Sequence, residues 1–394
     1  MARRARVQRG HLFQGVSEGL APRHPRRRPG VAPRRVPVAV PTSLVRPSVP
    51  APRSPLPVPR PLRADGDDEE RDPRPAALVT GASSGIGRAT ARALASRGFH
   101  VLVSCRRASD ARAVAAEIVA LVGDDARATA MPGMDLAELK EINATAEACA
   151  SEKLNLNLRV VACCAGVMAC EHRVVGRGKD ARETDAAVNA IGTSRLISAI
   201  LHSRSEKRYH HREHLRVVCV GSFTHRAVTR EEFVEWLDRT NATSSSTATT
   251  STTRPPTAFT PAGAYACSKL AATMRAFVTH ASWSPSACSV SVVVADPGLV
   301  DTRINREWPP SLRRFYVFVA RLLGLLSSPS QGADAVLHAC FVPPSALGDV
   351  AGYVYGANGA RVRPSTLATD DAKLRDRVCA MTFAPPPSGG YAAW

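Results

Sequence analysis

Short apolar runs alternating with segments of helical composition constrain this chain more than any other feature. The runs fall at 77–80, 100–105, 159–164, 215–220 and 289–295, and the helical stretches at 88–97, 111–122, around 138–151, 183–203 and 264–281. Strands that are apolar at successive positions must be covered on both faces, and helix-length connections bring each strand back parallel to the last. The pattern predicts an α/β fold, a single doubly wound parallel sheet occupying residues 75–394 as one domain.

Residues 1–63 cannot contribute to such a core. They hold 14 Arg, 13 Pro and one acid, Glu18, for a local net charge of +13. Proline removes backbone donors and the arginines repel one another, so residues 1–74 are predicted to be a disordered tail. Three readings of it stay open: a transit peptide that directs the chain to a plastid, a basic arm on a cytoplasmic protein, or a start codon placed too far upstream in GC-rich DNA. The remaining 331 residues carry a net charge of only +5, so the overall +18 belongs to the tail and implies no nucleic-acid partner.

Two segments break the alternation. Residues 227–262 combine a short helix at 230–237 with the Ser/Thr tract 243–251, and are predicted to be a mobile surface insertion. Residues 315–326 contain eleven apolar or Gly residues and one charge, Arg321, too few to span a bilayer. A helix apolar on nearly every side must be buried. The segment 315–326, with Phe315, Phe318 and Leu322, is expected to wall a substrate site, with peripheral membrane contact as a secondary property.

The chemistry begins at Thr80-Gly81-Ala82-Ser83-Ser84-Gly85-Ile86-Gly87, placed after the first strand and opening a helix. Glycines there permit a tight turn and close approach of a pyrophosphate to a helix N-terminus. The second strand ends at Cys105, followed by Arg106 and Arg107. Two guanidinium groups with no acid suit a ribose 2′-phosphate, which favours NADP(H) over NAD; the alternative is a solvated surface pair. Asp135 either accepts from an adenine amino group or caps a helix.

Tyr265 and Lys269, at i and i+4, share a helical face. An ammonium beside a phenol is expected to lower its pKa and make it an acid or base near neutrality. Ser222, at the end of the run 215–220, and Asn189, in a helical segment, give that pair its meaning.

Taken together, these motifs resemble the short-chain dehydrogenases/reductases over residues 75 to about 380, in the family's order: the Gly-rich turn, Asn189, Ser222, Tyr265 with Lys269, and Pro297-Gly298. Finer strings resemble a plant branch related to retinol dehydrogenases, WW-domain-type oxidoreductases and chloroplast-import-associated members. They are Ser222-Phe223-Thr224-His225-Arg226, the run from Asp296 through Pro297 and Gly298 to Thr302, and Leu322-Leu323-Gly324-Leu325-Leu326 before Ser328-Pro329. The resemblance implies a Rossmann-type domain that binds NADP(H) and interconverts a small-molecule carbonyl and its alcohol. It implies Tyr265 as proton donor, Ser222 as carbonyl orienter and Lys269 as ribose anchor and pKa modifier. Asn189 would support a proton-relay water, and Thr302 would meet the nicotinamide carboxamide. The rival reading is an NADP-sensing regulatory protein on the same fold.

Two departures stand out. Where the family has Asn-Asn-Ala-Gly, this chain has Cys163-Cys164-Ala165-Gly166, and a thiol cannot replace an amide's donors and acceptor. Ser222 and Tyr265 are also 43 residues apart, so the intervening chain must loop out. The ten Cys form no C-x-x-C pair and are expected as buried thiols in a reducing compartment. No metal site is expected; His210, His211 and His214 read as a solvated connection. Asn143 and Asn241 match glycosylation sequons without a secretory signal.

Overall fold

In β1 (Pro75–Thr80) successive side chains enter different layers: Ala76 and Leu78 pack on one side of the sheet, Ala77 and Val79 on the other. All four are fully buried, as an apolar run with no polar face requires. The computed structural model describes residues 74–123, 126–150, 156–176, 181–206, 214–242, 259–283, 290–343, 347, 354–356 and 359–382.

From β1 the chain passes through α1 (Gly85–Ala95), β2 (His100–Ser104), α2 (Ala108–Val122), β3 (Arg127–Ala130) and α3 (Leu139–Cys149) to β4 (Asn157–Cys163). A two-stranded excursion, β5 (Val174–Val175) with β6 (Arg182–Glu183), precedes a π-helical stretch, Ala186–Gly192, that runs into α4 (Thr193–Glu206). Then follow β7 (Leu215–Val220), α5 (Arg230–Ala242), α6 (Pro261–Trp283), β8 (Val290–Ala295), α7 (Pro310–Leu322) and α8 (Pro329–Phe341). The last elements are β9 (Val354–Tyr355), β10 (Arg361–Val362), α9 (Thr366–Asp370) and α10 (Ala372–Thr382).

The eight-stranded sheet has the order β10-β9-β8-β7-β4-β1-β2-β3, parallel except for the last pair, β9 with β10. The chain winds outward from β1 to β3, then returns to β4 and winds the other way. The switch between β1 and β4 opens a crevice at the carboxyl ends of the strands, where an open α/β sheet binds its ligand. Leu94, Ile118 and Leu337 fill the layer on one face; Ile142, Leu196, Leu270 and Met274 fill the other. The expected doubly wound architecture is what is observed.

Several elements have no strong apolar signature. β3 reads Arg-Ala-Thr-Ala and lies at the sheet edge, half-buried or exposed. α8 carries a full capping box, Ser328 to the Gln331 amide and Gln331 back to Ser328, a signal present in the sequence but not used. The helix expected at 230–237 extends to Ala242. The tail 1–73, the tract 243–251, His210, His211 and Cys288 lie outside the described residues. His214 departs from the expected solvated connection: it is half-buried before β7, and burial together with nearby arginines pushes its imidazole down to about 4. Among the described residues all nine cysteines are free, and no helix is long and apolar enough to cross a membrane.

The segment 315–326 differs from expectation. Phe315, Phe318 and Leu322 are 67%, 64% and 74% exposed, so burial on every side is corrected to burial on one side only. Ala320 is buried, and among the described side chains of the segment Val317 and Leu326 reach the cleft described next.

Candidate active site

The turn between β1 and α1 needs glycine for two separate reasons. Gly81 has φ of 65°, in the left-handed region, and a Cβ on it would stand 2.7 Å from the Ala165 Cα. A Cβ on Gly87 would stand 2.5 Å from the Gly81 carbonyl oxygen. The turn is thus pressed against both α1 and the end of β4. Ser84 at the N-cap makes no side-chain cap bond, which leaves the first amides of α1 available to an anion.

This turn floors a cleft of about 1120 Å³. Gly81, Ser83, Ser84, Gly85, Ile86, Gly87, Arg106, Arg107, Asp135, Ala165, Gly166, Ser222, Tyr265, Lys269, Pro297, Gly298 and Thr302 all line it. Asn189 does not; it sits directly behind the wall.

At the end of β2 the expectation of two open guanidinium groups is corrected. Arg107 makes a two-pronged ion pair with Asp110, both contacts at 3.0 Å, and Asp110 also lines the cleft. Asp110 lies at i+3 from Arg107 on α2, a spacing that could have revealed it. Arg106 is exposed and has no ion pair among the described residues. Asp135 accepts from the Ala137 amide at 2.9 Å and closes a turn before α3, whose N-cap position is Glu138.

The opposite wall brings together residues far apart in sequence. α6 places Lys269 one turn after Tyr265, with its Nζ 5.7 Å from the ring centroid and donating to the Val220 carbonyl at 2.8 Å. The phenol and the Ser222 side chain line the same cleft and influence one another, so the 43-residue separation does not part them. Thr224 donates through its hydroxyl to Ser222 Oγ at 3.0 Å, and His225 Nδ1 contacts the Ser222 carbonyl. Asn189 receives the Val167 amide and donates to the Val167 carbonyl and to Ser268 Oγ, each at 2.9 Å. It thereby joins the π-helical stretch to α6 and to the segment after β4.

The electrostatics differ from the expected picture in one respect. Tyr265 is half-buried as a residue, but desolvation of its phenol pushes the pKa up to about 12, against the pull of Ser222. Burial lowers Lys269 to about 8. The phenol therefore holds its proton at neutral pH instead of approaching ionisation. The adjacent Cys219 side chain and then burial raise Cys163, and burial takes Cys164 to about 12, so both thiols are neutral; Cys163 stands opposite Cys219 on the neighbouring strand.

One carboxyl escaped the sequence reading. Asp185, fully buried four residues before Asn189, accepts from the Ala169 amide at 3.2 Å while its Oδ1 has no partner. Desolvation pushes it up to about 7, with Lys269 among the charges that pull it back.

Comparison with known proteins agrees with this geometry. The profile of the family described as short chain dehydrogenase matches residues 75–226. Polyprenol dehydrogenase of Mus musculus is 32% identical over 337 residues, 84% of this chain and 90% of that protein. Retinol dehydrogenase 11 of Mus musculus is 34% identical over 134 residues, 34% of this chain and 40% of its own length. The solved structure of the angucycline C-6 ketoreductase LanV with bound NADP superposes with a TM-score of 0.50 at 22% identity, covering 72% of this chain and 92% of that one, and shows the shared fold.

Proposed function

The chain belongs to the short-chain dehydrogenase family, and from that premise we propose that it is an NADP(H)-dependent oxidoreductase interconverting a lipophilic carbonyl and its alcohol. The observation that carries the reading is the convergence of Ser222, Tyr265 and buried Lys269 on the same cleft as the glycine turn. The fit to the cofactor rests on a turn that only glycine can fill, on the open amides of α1 and on the exposed Arg106.

Gly81 to Gly87 would hold the pyrophosphate, Arg106 the 2′-phosphate, and Lys269 the ribose nearest the reacting end. When bound, the nicotinamide supplies or accepts the hydride. The protein's own part is the proton and the geometry. Ser222 orients the substrate oxygen, and Tyr265 gives it a proton from a phenol that stays protonated at neutral pH. That protonation state favours reduction; oxidation needs the proton removed and gains as pH rises.

Val167, Met168, Val174, Trp308, Val317 and Leu326 supply apolar side chains to the rest of the cleft, among polar ones such as Arg173, Arg303 and Glu307. A polyprenol dehydrogenase as a relative along most of the chain supports a long isoprenoid-like substrate.

The test is NADPH oxidation against aldehydes and ketones of increasing chain length, with Tyr265→Phe beside the wild type. Turnover should fall by about 10²–10⁴-fold in the variant with NADPH binding retained. Wild-type turnover in the variant would remove Tyr265 from the mechanism. Tight NADPH binding with no turnover on any carbonyl would instead favour the sensing alternative.

A further inference from the structure

The two sides of α7 have opposite surroundings. Val317 lines the cleft and Ala320 is buried, while Phe315, Phe318 and Leu322, at i, i+3 and i+7, form a stripe on the far side. Their exposures of 67%, 64% and 74% are joined by Leu323 at 62% just beyond the helix. Among the described residues the other exposed large hydrophobics are Val119, Leu121 and Val174, and Val174 itself lines the cleft. Single exposed apolar residues are ordinary, but a contiguous stripe of this kind marks an interaction surface.

The charge beside the stripe narrows the partner. Arg313 and Arg314 in the first turns of α7 are exposed, whereas the exposed Arg303 and Arg306 in the chain leading to it line the cleft. The nearby acids are already engaged: Asp301 by Arg321, and Glu307 by Arg173 at 3.5 Å. The uncompensated charge is therefore positive. A two-fold contact between copies would set this basic border against itself. The N-terminal 63 residues, with a net charge of +13, are repelled for the same reason.

An anionic lipid surface satisfies both components, receiving the apolar stripe among acyl chains and the arginines at the phosphate level. We propose that α7 docks the protein on an anionic bilayer, so that the lipid lies one helix away from the cleft it would supply. Docking itself stands apart from the catalytic reading; the idea that it feeds the cleft rests on that reading.

The experiment is flotation of the full chain with phosphatidylcholine vesicles, with and without phosphatidylserine, comparing wild type with the triple variant Phe315→Ser, Phe318→Ser, Leu322→Ser. High salt shortens the screening length to a few ångströms and suppresses the contribution of the N-terminal arginines. Wild type should float with the anionic vesicles and remain bound at high salt. The triple variant should lose about tenfold or more of that salt-resistant binding, the least expected for withdrawing three large apolar side chains. Arg313→Ala with Arg314→Ala should reduce the preference for phosphatidylserine. Reduction of a small water-soluble aldehyde should be unchanged in all variants, because the stripe faces away from the cleft. Failure of wild type to float, or equal salt-resistant flotation of the triple variant, overturns the proposal. So does conversion of a wild-type dimer to a monomer with flotation unaltered, which would make the stripe a self-association face. Loss of aldehyde reduction in wild type, with flotation as expected, would refute only the catalytic reading.

Discussion

Replacing Arg106 by Ala removes the one guanidinium at the end of β2 that stands exposed on the cleft with no ion-pair partner among the described residues. Its neighbour is not equivalent, since Arg107 has two of its donors on Asp110 at 3.0 Å. A charge-assisted hydrogen bond contributes about 1.5–3 kcal/mol, so losing it should weaken NADPH binding about 10- to 150-fold. NADH has no 2′-phosphate and should bind the variant as it binds wild type. Arg107→Ala should cost much less, because that guanidinium is already held. Asp110→Asn tests the same reasoning from the other side. It frees Arg107 and takes away a carboxylate near the phosphate, so NADPH should bind several-fold more tightly, about 1 kcal/mol by Coulomb's law in water. Fluorescence titration of both nucleotides reads all four proteins. Equal weakening of NADPH and NADH by Arg106→Ala would mean a general structural defect, and unchanged NADPH affinity would place the phosphate elsewhere; either refutes the assignment.

Other perturbations probe the cradle and the buried polar groups. Gly87→Ala puts a methyl group 2.5 Å from the Gly81 carbonyl, so NADPH affinity should fall by about tenfold or more and stability by about 1–3 kcal/mol; wild-type titration curves would contradict this. Thr80→Val removes the acceptor of the Ala165 amide, 3.1 Å away, and should cost about 1–3 kcal/mol in thermal or urea unfolding. Asp185 has a raised pKa, so the native state binds its proton more tightly than the unfolded chain does. Its ionisation cost is absent below about pH 4, grows between about pH 4 and 7, and is complete above that range. Asp185→Asn should therefore stabilise the protein at about pH 8, by up to about 4 kcal/mol, and leave it nearly unchanged at about pH 4. A variant destabilised equally at both pH values would show that the carboxyl is not a buried, ionised burden.

The central strands, the flanking helices and the glycine turn were legible because each is specified by local pattern: apolar runs for strands, helical spacing and a Gly-rich junction. The short edge strands were not. β3 has no apolar run, and β9 and β10 have two residues each, held in place by the sheet they join and not by their own composition. The family's motif order pointed to positions that the fold brings to one cleft, Ser222 and Tyr265 among them across 43 residues. Asp110 and Asp185 were missed for different reasons. Asp110 pairs with Arg107 at i,i+3, a spacing visible in the sequence. Asp185 gains its character from burial, which depends on tertiary packing around a π-helical stretch. The stripe on α7 failed for the same reason: composition says that a helix is apolar, but only packing says which side is left uncovered.

The replacement of two amide side chains by Cys163 and Cys164 raised a doubt that packing answers. The bonds that hold the end of β4 against the cofactor turn run through the backbone and through other side chains. Thr80 Oγ1 takes the Ala165 amide at 3.1 Å, and Asn189 holds both the amide and the carbonyl of Val167 at 2.9 Å. Neither bond needs a donor at position 163 or 164. Cys163 is buried opposite Cys219 of the adjacent strand, where a small, weakly polar group costs less than an amide with unsatisfied hydrogen-bonding capacity. What the thiols do not supply is charge. Both remain neutral, so the buried Lys269 ammonium relies on the Val220 carbonyl and on the influence of Asp185, ionised above about pH 7. Asp185 is among the groups that favour the Lys269 charge, so a carboxyl that no motif identifies adds to the electrostatics beside Tyr265.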